Sequence, residues 1–323
     1  MKKRRLGWTA LEFTVIGFGS WAMGGGGWKF SWGPQDDRES IAAIKRAVDL
    51  GVNWIDTAAI YGLGHSEEVV GKALKEISPR PFIATKCGLV WDEAKNISNR
   101  LKRESVRREA EASLRRLGVD VIDLYQIHWP YPDEEIEEGW AEMSRLVEEG
   151  KVRYIGVSNF NVSQMERIKK IHPIASLQPP YSMLKRGIEA EILPYCAANN
   201  IGVIVYSPMQ KGLLTGAVTR ERVAQFAPDD HRRNDPQFQE PELSVNLELV
   251  EKLREIAARY GKTPAQLAVA WVLRRPEVTS AIVGIRRPSQ IEEIVPAADF
   301  DISQEDLELI EKLLAEREAK LRK

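Results

Sequence analysis

The chain has 323 residues, 43% of them hydrophobic and 29% charged, with a formal net charge of −1; that composition suits a globular chain with a large core, and near-neutrality offers no global field to nucleic acid or an anionic membrane. The basic start MKKRR has no apolar stretch after it, so it does not read as a secretory signal, and no apolar run is long enough to span a bilayer. The two cysteines, Cys87 and Cys196, stand outside metal-ligand spacing, which fits a reduced cytoplasm and no bound metal.

In chain order, RRLGWTALEFTVIG predicts a small hairpin about Gly7–Ala10, and its end merges into a strand over 13–20. A helix over 38–51 follows, stopped at Gly51, then a strand over 52–58. Residues 66–77 read as a helix with Ser66 as N-cap and Glu67 and Glu68 in its first turn. Next come a strand over 81–88, a helix over 99–118 ending at Gly118, a strand over 121–129 and a helix over 134–150. The alternation continues with strands over 152–159, 175–180 and 201–208, and with helices over 163–171 and 187–199. Residues 208–243 carry Pro208, Pro228, Pro236 and Pro241 without clear periodicity; a loop that long is usually functional or mobile. Helices over 244–260 and 264–275, a strand over 279–285, and helices over 288–295 and 303–322 complete the chain.

Repeated strand–helix alternation implies parallel strands with crossover helices. An open doubly wound sheet and a closed barrel both satisfy it, and eight units favour the barrel. No linker or composition break interrupts the chain. The expectation is therefore an α/β fold: a single-domain, eight-stranded parallel (β/α) TIM barrel over residues 1–323, with an N-terminal hairpin and extra C-terminal helices.

Barrels of this kind place their active sites at the C-terminal ends of the strands. The polar residues ending apolar strands are Asp56, Lys86, His128, Ser158, Asn159, Gln178, Tyr206 and Ser207. Singly, each has a plain structural reading: a turn cap for Asp56, a snorkelling lysine for Lys86, a satisfied histidine for His128, packing for nearby Tyr61. Together on one rim they are harder to dismiss, because a lysine and a histidine in line with apolar residues are costly to bury without partners. A free tyrosine titrates near pH 10, and a nearby ammonium favours the phenolate. Lys86 can supply that ammonium, Asp56 can hold Lys86 in place, and Tyr61 then becomes a proton donor tuned toward neutrality. His128 can position a carbonyl oxygen beside the phenol.

Asp56, Tyr61, Lys86 and His128, with GVSNF (156–160), QPPYS (178–182) and YSPMQKGLLTG (206–216), resemble the aldo-keto reductase superfamily from Lys3 to about Ser303. SWGPQDD (31–37) resembles the bacterial general-aldehyde and glyceraldehyde reductase branch. The resemblance implies an aldo-keto reductase-like barrel that reduces a small aldehyde or ketone with NADPH, NADH being possible, without metal or flavin. It makes Tyr61 the acid, Asp56 and Lys86 its tuning pair, and His128 the residue that orients the carbonyl. It assigns Ser158, Asn159 and Gln178 to the carboxamide, Tyr206 to stacking on the nicotinamide, and Ser20 and Trp21 to the nicotinamide ribose and substrate. Ser207 to Leu214, including Pro208, Gln210, Gly212 and Leu213, would cradle the pyrophosphate. The segment IVGIRRPSQIEEI (282–294) corresponds to the 2′-phosphate site, through Gly284, Arg286 and Gln290, with Arg287 as an extra candidate; Glu293 matches an adenine contact, and Ile294 departs where asparagine is usual.

Other features point elsewhere or nowhere. GFGSWA (17–22) fits a dinucleotide fingerprint, but that motif needs a helix directly after it, and MGGGGWKFSWGP does not form one. His65 beside the helix start reads as solvent-facing, His172 and His231 lack metal-ligand partners, and Cys87 reads as core. Trp28, Trp32, Trp91 and Trp129 follow strand ends and are candidates for a substrate pocket. The rival function is a nucleotide-binding regulatory subunit on the same fold. A non-redox barrel lyase or isomerase would need a phosphate or metal site that the sequence does not display. Turnover of NADPH with a panel of aldehydes separates these readings.

Overall fold

A computed structural model of the protein describes residues 1–322. Eight parallel strands close into a barrel: Ile16–Gly19, Trp54–Asp56, Phe82–Cys87, Ile122–Ile127, Val152–Ser158, Ser176–Gln178, Gly202–Tyr206 and Val278–Gly284. Each pairs with the next, and the last closes on the first through Ala281 opposite Ile16 and Gly284 opposite Gly19. All eight fall on the predicted stretches, the last beginning one residue early. The helices lie around the barrel, and the two extra C-terminal ones, Glu242–Arg259 and Gln304–Leu321, pack on each other.

The predicted hairpin forms from Lys3–Arg5 and Glu12–Thr14 and plugs the barrel floor. Its Leu6, Leu11 and Phe13 join Trp54, Ala84, Leu124, Ile204 and Ile282 in one apolar layer. Burying a side chain of this size stabilises the fold by about 1.5–3 kcal/mol. Phe13 stacks on Trp54 at 4.5 Å, and the indole of Trp54 donates to Thr14 O and Ser280 Oγ, both at 3.2 Å. The same indole explains Gly17: a Cβ there would stand 2.1 Å from the Trp54 ring. The glycines of GFGSWA therefore serve packing. A single 3-10 turn, Trp21–Gly24, follows the strand, so no helix dipole is aimed at a phosphate there.

Strand side chains alternate in direction. Two residues beyond the apolar layer, the same inward face reaches Asp56, Lys86, Gln126, Tyr206 and Gly284. The floor thus sets the register in which polar groups emerge at the barrel's open end.

Four local expectations change. The helix predicted over 66–77 is His65–Leu74, with Gly64 at its N-cap; Ser66 is buried and donates inward to Ser20 rather than capping. The helix predicted over 99–118 begins at Arg103, because a second hairpin, Leu89–Trp91 with Ile97–Asn99, occupies the preceding segment. The helix predicted over 187–199 contracts to Ile192–Ala198. Residues 208–243 are structured: Leu213, Val218, Phe226, Phe238 and Leu243 form a small core of their own, and short helical turns recur through the segment. No helix among the described residues is long and apolar enough to cross a membrane.

Candidate active site

A cavity of about 850 Å³ opens at the C-terminal ends of the strands. At its base the strand Trp54–Asp56 delivers Asp56, and the strand Phe82–Cys87 delivers Lys86. Both are buried. Lys86 Nζ donates to Asp56 Oδ2 at 2.7 Å, to the carbonyl of Thr57 at 2.9 Å and, at a longer 3.4 Å, to the Tyr61 hydroxyl. An ammonium has donors only, so the phenol accepts in that contact and its own O–H is free to point elsewhere. The His128 ring stands edge-on to the Tyr61 ring, with centroids 5.8 Å apart.

Titration behaviour corrects one expectation. Burial, and after it the Asp56 carboxylate, push the Tyr61 phenol well above its ordinary value rather than toward neutrality. Desolvation is the larger of the two causes, because the phenolate would be buried without water. Burial, with the nearby Lys86 ammonium adding to it, holds His128 well below the usual imidazole range. At neutral pH the cavity therefore presents a protonated phenol and a neutral imidazole.

A second polar group adjoins the first. Gln178 Nε2 donates to Asp56 Oδ1 at 2.8 Å, and Ser158 Oγ donates to the Gln178 carbonyl at 2.8 Å. Asn159 has φ +63, a left-handed conformation that asparagine tolerates. Its amide donates to His128 O and Ser158 Oγ, both at 3.0 Å, and it accepts from the Tyr206 hydroxyl at 2.9 Å. Strand ends far apart in sequence are thus tied into one network.

Beyond Tyr206 the cavity floor turns over Ser207, Pro208, Gln210 and Gly212. Ser207, Gln210, Lys211 and Gly212 all have φ between +47 and +92, a strained run for side-chain-bearing residues. The far end is lined by Gly284, Arg286, Arg287, Gln290 and Glu293. Arg286 is held by the 32–35 segment: Nε donates to Gln35 Oε1 at 2.6 Å, and the terminal nitrogens reach the carbonyls of Trp32 and Pro34. Gln290 Oε1 accepts the backbone N–H of Arg286 at 2.8 Å and of Arg287 at 3.3 Å. Arg287 is exposed.

Three of the sequence candidates do not line the cavity: Lys86, which stands behind Asp56 and Tyr61, Ser20 and Leu213. Ser20 is fully buried, and its hydroxyl meets Ser66 Oγ at 2.8 Å behind the wall. The Leu213 side chain lies in the small core of the 208–243 segment. Trp21, Trp28, Trp32 and Trp129 line the cavity, whereas Trp91 packs beneath Arg116. His65 is only partly exposed and meets Asp37 at 2.8 Å. Sequence reading missed Leu89, Ile97 and Asn99, which line the cavity from the second hairpin. Its turn residues Asp92, Lys95 and Asn96 follow the apolar triplet Leu89–Trp91 and mark a turn, but the returning strand Ile97–Asn99 is mostly polar. Lys29, Phe30, Lys185 and Arg232 also line it, and no local pattern announces them.

The family model described as "Aldo/keto reductase family" matches residues 15–315, and the chain belongs to that family. It is 41% identical over 309 residues to "Aldo-keto reductase YhdN" of Bacillus subtilis (strain 168), covering 95% of this chain and 91% of that one. It is 37% identical over 328 residues to the "NADH-specific methylglyoxal reductase" of Escherichia coli (strain K12), covering 97% and 98%. The solved glycerol dehydrogenase AKR11B4 from Gluconobacter oxydans superposes with a TM-score of 0.89 at 38% identity, covering 98% of this chain and 95% of that one. The chain is thus an enzyme of nicotinamide-dependent carbonyl chemistry.

Proposed function

We propose that the protein reduces small aldehydes or ketones with NADPH, with NADH as a poorer alternative, and that Tyr61 is the proton donor. The observation that carries this reading is the Lys86 ammonium held between Asp56 and the Tyr61 hydroxyl at the cavity base.

The lining suits a dinucleotide. Lys211, Arg222, Arg286 and Arg287 supply cations for its phosphates, and the left-handed residues Ser207 and Gln210–Gly212 bend the backbone along the cavity wall beside them. Gly284 has no Cβ to obstruct an approaching ring, and nothing lies within 4 Å of where one would be. Ser158, Asn159 and Gln178 would hold the carboxamide, with Tyr206 against the nicotinamide. Arg286 spends three of its five N–H donors on the 32–35 segment. It therefore braces the site, and the exposed Arg287 carries more of the 2′-phosphate contact.

The bound nicotinamide supplies the hydride. Tyr61 gives its proton to the carbonyl oxygen as negative charge develops there. Lys86, already donating to the phenol oxygen, stabilises the phenolate left behind, and Asp56 keeps Lys86 in place. Neutral His128 donates a hydrogen bond to the same carbonyl and fixes its angle. A high ground-state pKa keeps Tyr61 loaded with its proton across neutral pH, so the acid form is always present. The test is Tyr61→Phe, assayed with NADPH against a panel of small aldehydes: reduction falls by at least ~10²-fold while NADPH still binds. Turnover equal to the parent would remove Tyr61 from this role.

A further inference from the structure

One buried charge beside Lys86 is not used by the chemistry above. Glu67 is the third residue of the helix His65–Leu74 and is fully buried. Thr85 Oγ1 donates to its Oε1 at 2.6 Å, and Arg116 Nε donates to its Oε2 at 2.7 Å. Thr85 precedes Lys86 on the strand, so its side chain leaves by the opposite face. Glu67 thus grips the outside of the strand whose inside presents Lys86.

The surroundings are shaped for this grip. A Cβ at Gly64 would stand 3.0 Å from Arg116 Cδ, and one at Gly71 would stand 2.4 Å from the Arg116 carbonyl. These two glycines let the helix Arg103–Leu117 approach closely enough for Arg116 to reach Glu67. Arg116 also lies 6.0 Å over the Trp91 ring, in the hairpin that lines the cavity. A carboxylate without water needs a partner, and here a guanidinium and a hydroxyl supply it.

We propose that Glu67 is a positioning residue for Lys86: through Thr85 it fixes the strand end that aims Lys86 at Asp56 and Tyr61. The proposal rests on the roles given to Lys86 and Tyr61 above. Lys86 is faced by Asp56, by Tyr61 and by His128; Glu67 is faced by Arg116, with Tyr125, Cys87 and Glu109 behind the same strand. Burial draws the Lys86 pKa down, and Asp56 first, then Glu67, oppose that fall.

The experiment uses Glu67→Gln in the full chain, with NADPH and butanal, recording kcat and KM for the cofactor across pH. The amide keeps the shape and removes the charge, so Lys86 loses its proton more readily. The alkaline limb of kcat for reduction moves to lower pH, kcat at neutral pH falls about tenfold, and KM for NADPH stays within twofold. A pH profile and a kcat that both superimpose on the parent overturn the proposal. If Glu67→Gln does not fold, Thr85→Val cuts the link while leaving Glu67 and Arg116 paired. It lowers kcat several-fold at unchanged KM for NADPH, and parent kcat there overturns the proposal equally. Tyr61→Phe keeps the two failures apart: if it remains active, the proton-donor assignment fails. If it is dead while Glu67→Gln matches the parent, only the role of Glu67 fails.

Discussion

The two ends of the cavity are built differently. At the Tyr61 end every charged group is buried and has a protein partner: Lys86 has Asp56, Asp56 has Gln178, and the strand behind them is gripped by Glu67. At the Arg286 end the two arginines sit on the short loop between the last barrel strand and the helix Pro288–Ile294. Arg286 leans on the 32–35 segment, and Arg287 is exposed, its guanidinium making no ion pair or hydrogen bond among the described residues. On the proposed function, the contrast separates two tasks. Groups that move a proton need fixed geometry and a dry site, where electrostatic effects are strong. Groups that choose between cofactors work in higher dielectric, where each contact is worth less and can change without disturbing the barrel.

The sharpest way to break that contrast is at Lys86. Lys86→Met removes the ammonium and strands Asp56 in a buried site, so carbonyl reduction falls by at least ~10²-fold and the fold loses about 3–5 kcal/mol. The double variant Asp56→Asn/Lys86→Met removes the stranded charge. Urea unfolding should show most of the stability restored while turnover stays lost. If the double variant recovered activity along with stability, Lys86 would be structural only.

How much of this was legible beforehand follows the same division. The barrel strands were readable because each is a short apolar run ending in a polar residue, and strand parity placed Lys86 and His128 on inward faces. Asp56 and Tyr61 sit close in sequence, so their meeting with Lys86 needed only the barrel count. The Tyr61 shift was misread because desolvation depends on what closes over the phenol, and Trp21 and Trp28 come from a glycine-rich loop. Ser20 was assigned through the resemblance alone; its partner Ser66 read locally as a helix cap, and only the three-dimensional fold pairs the two hydroxyls. Gln35 reaching Arg286 spans 251 residues, and no local pattern carries such a contact.

Glu109 tests the buried end through stability. It lies behind the Lys86 strand, accepting from Gly88 N at 2.9 Å and Ser105 Oγ at 3.1 Å, and burial raises its pKa from 4.5 to about 7. A raised folded-state pKa means that the native state holds a proton the unfolded chain has released. Its contribution is therefore fully present below about pH 4.5 and is lost as pH rises through about 7. Above that, ionised Glu109 costs the fold roughly 3 kcal/mol. Glu109→Gln should be more stable than the parent at pH 8, with the advantage shrinking toward pH 4.5. Denaturant midpoints that differ equally at both pH values would show that Glu109 does not titrate in this window.

The smallest effects are expected at the other end, where Arg287 and Arg286 are separable. Arg287 is exposed and free to meet a 2′-phosphate, which a guanidinium can bind through paired N–H groups. A charge-assisted bond of that kind is worth about 1.5–3 kcal/mol, and its exposure puts Arg287 at the low end, near tenfold in affinity. Arg287→Ala should therefore raise KM for NADPH about tenfold and leave KM for NADH nearly unchanged. Arg286→Ala removes the brace to Gln35, Pro34 and Trp32 as well as any phosphate contact. It should weaken both cofactors, because the 32–35 segment loses its anchor whichever cofactor is bound. The two variants thus differ in pattern as well as in size: one changes the NADPH/NADH ratio, the other mainly changes the level. Both need measuring at one fixed low salt concentration, since ions screen an exposed contact. If Arg287→Ala leaves the ratio intact while Arg286→Ala collapses it, the phosphate is read by the braced arginine, and the division of labour drawn here is reversed.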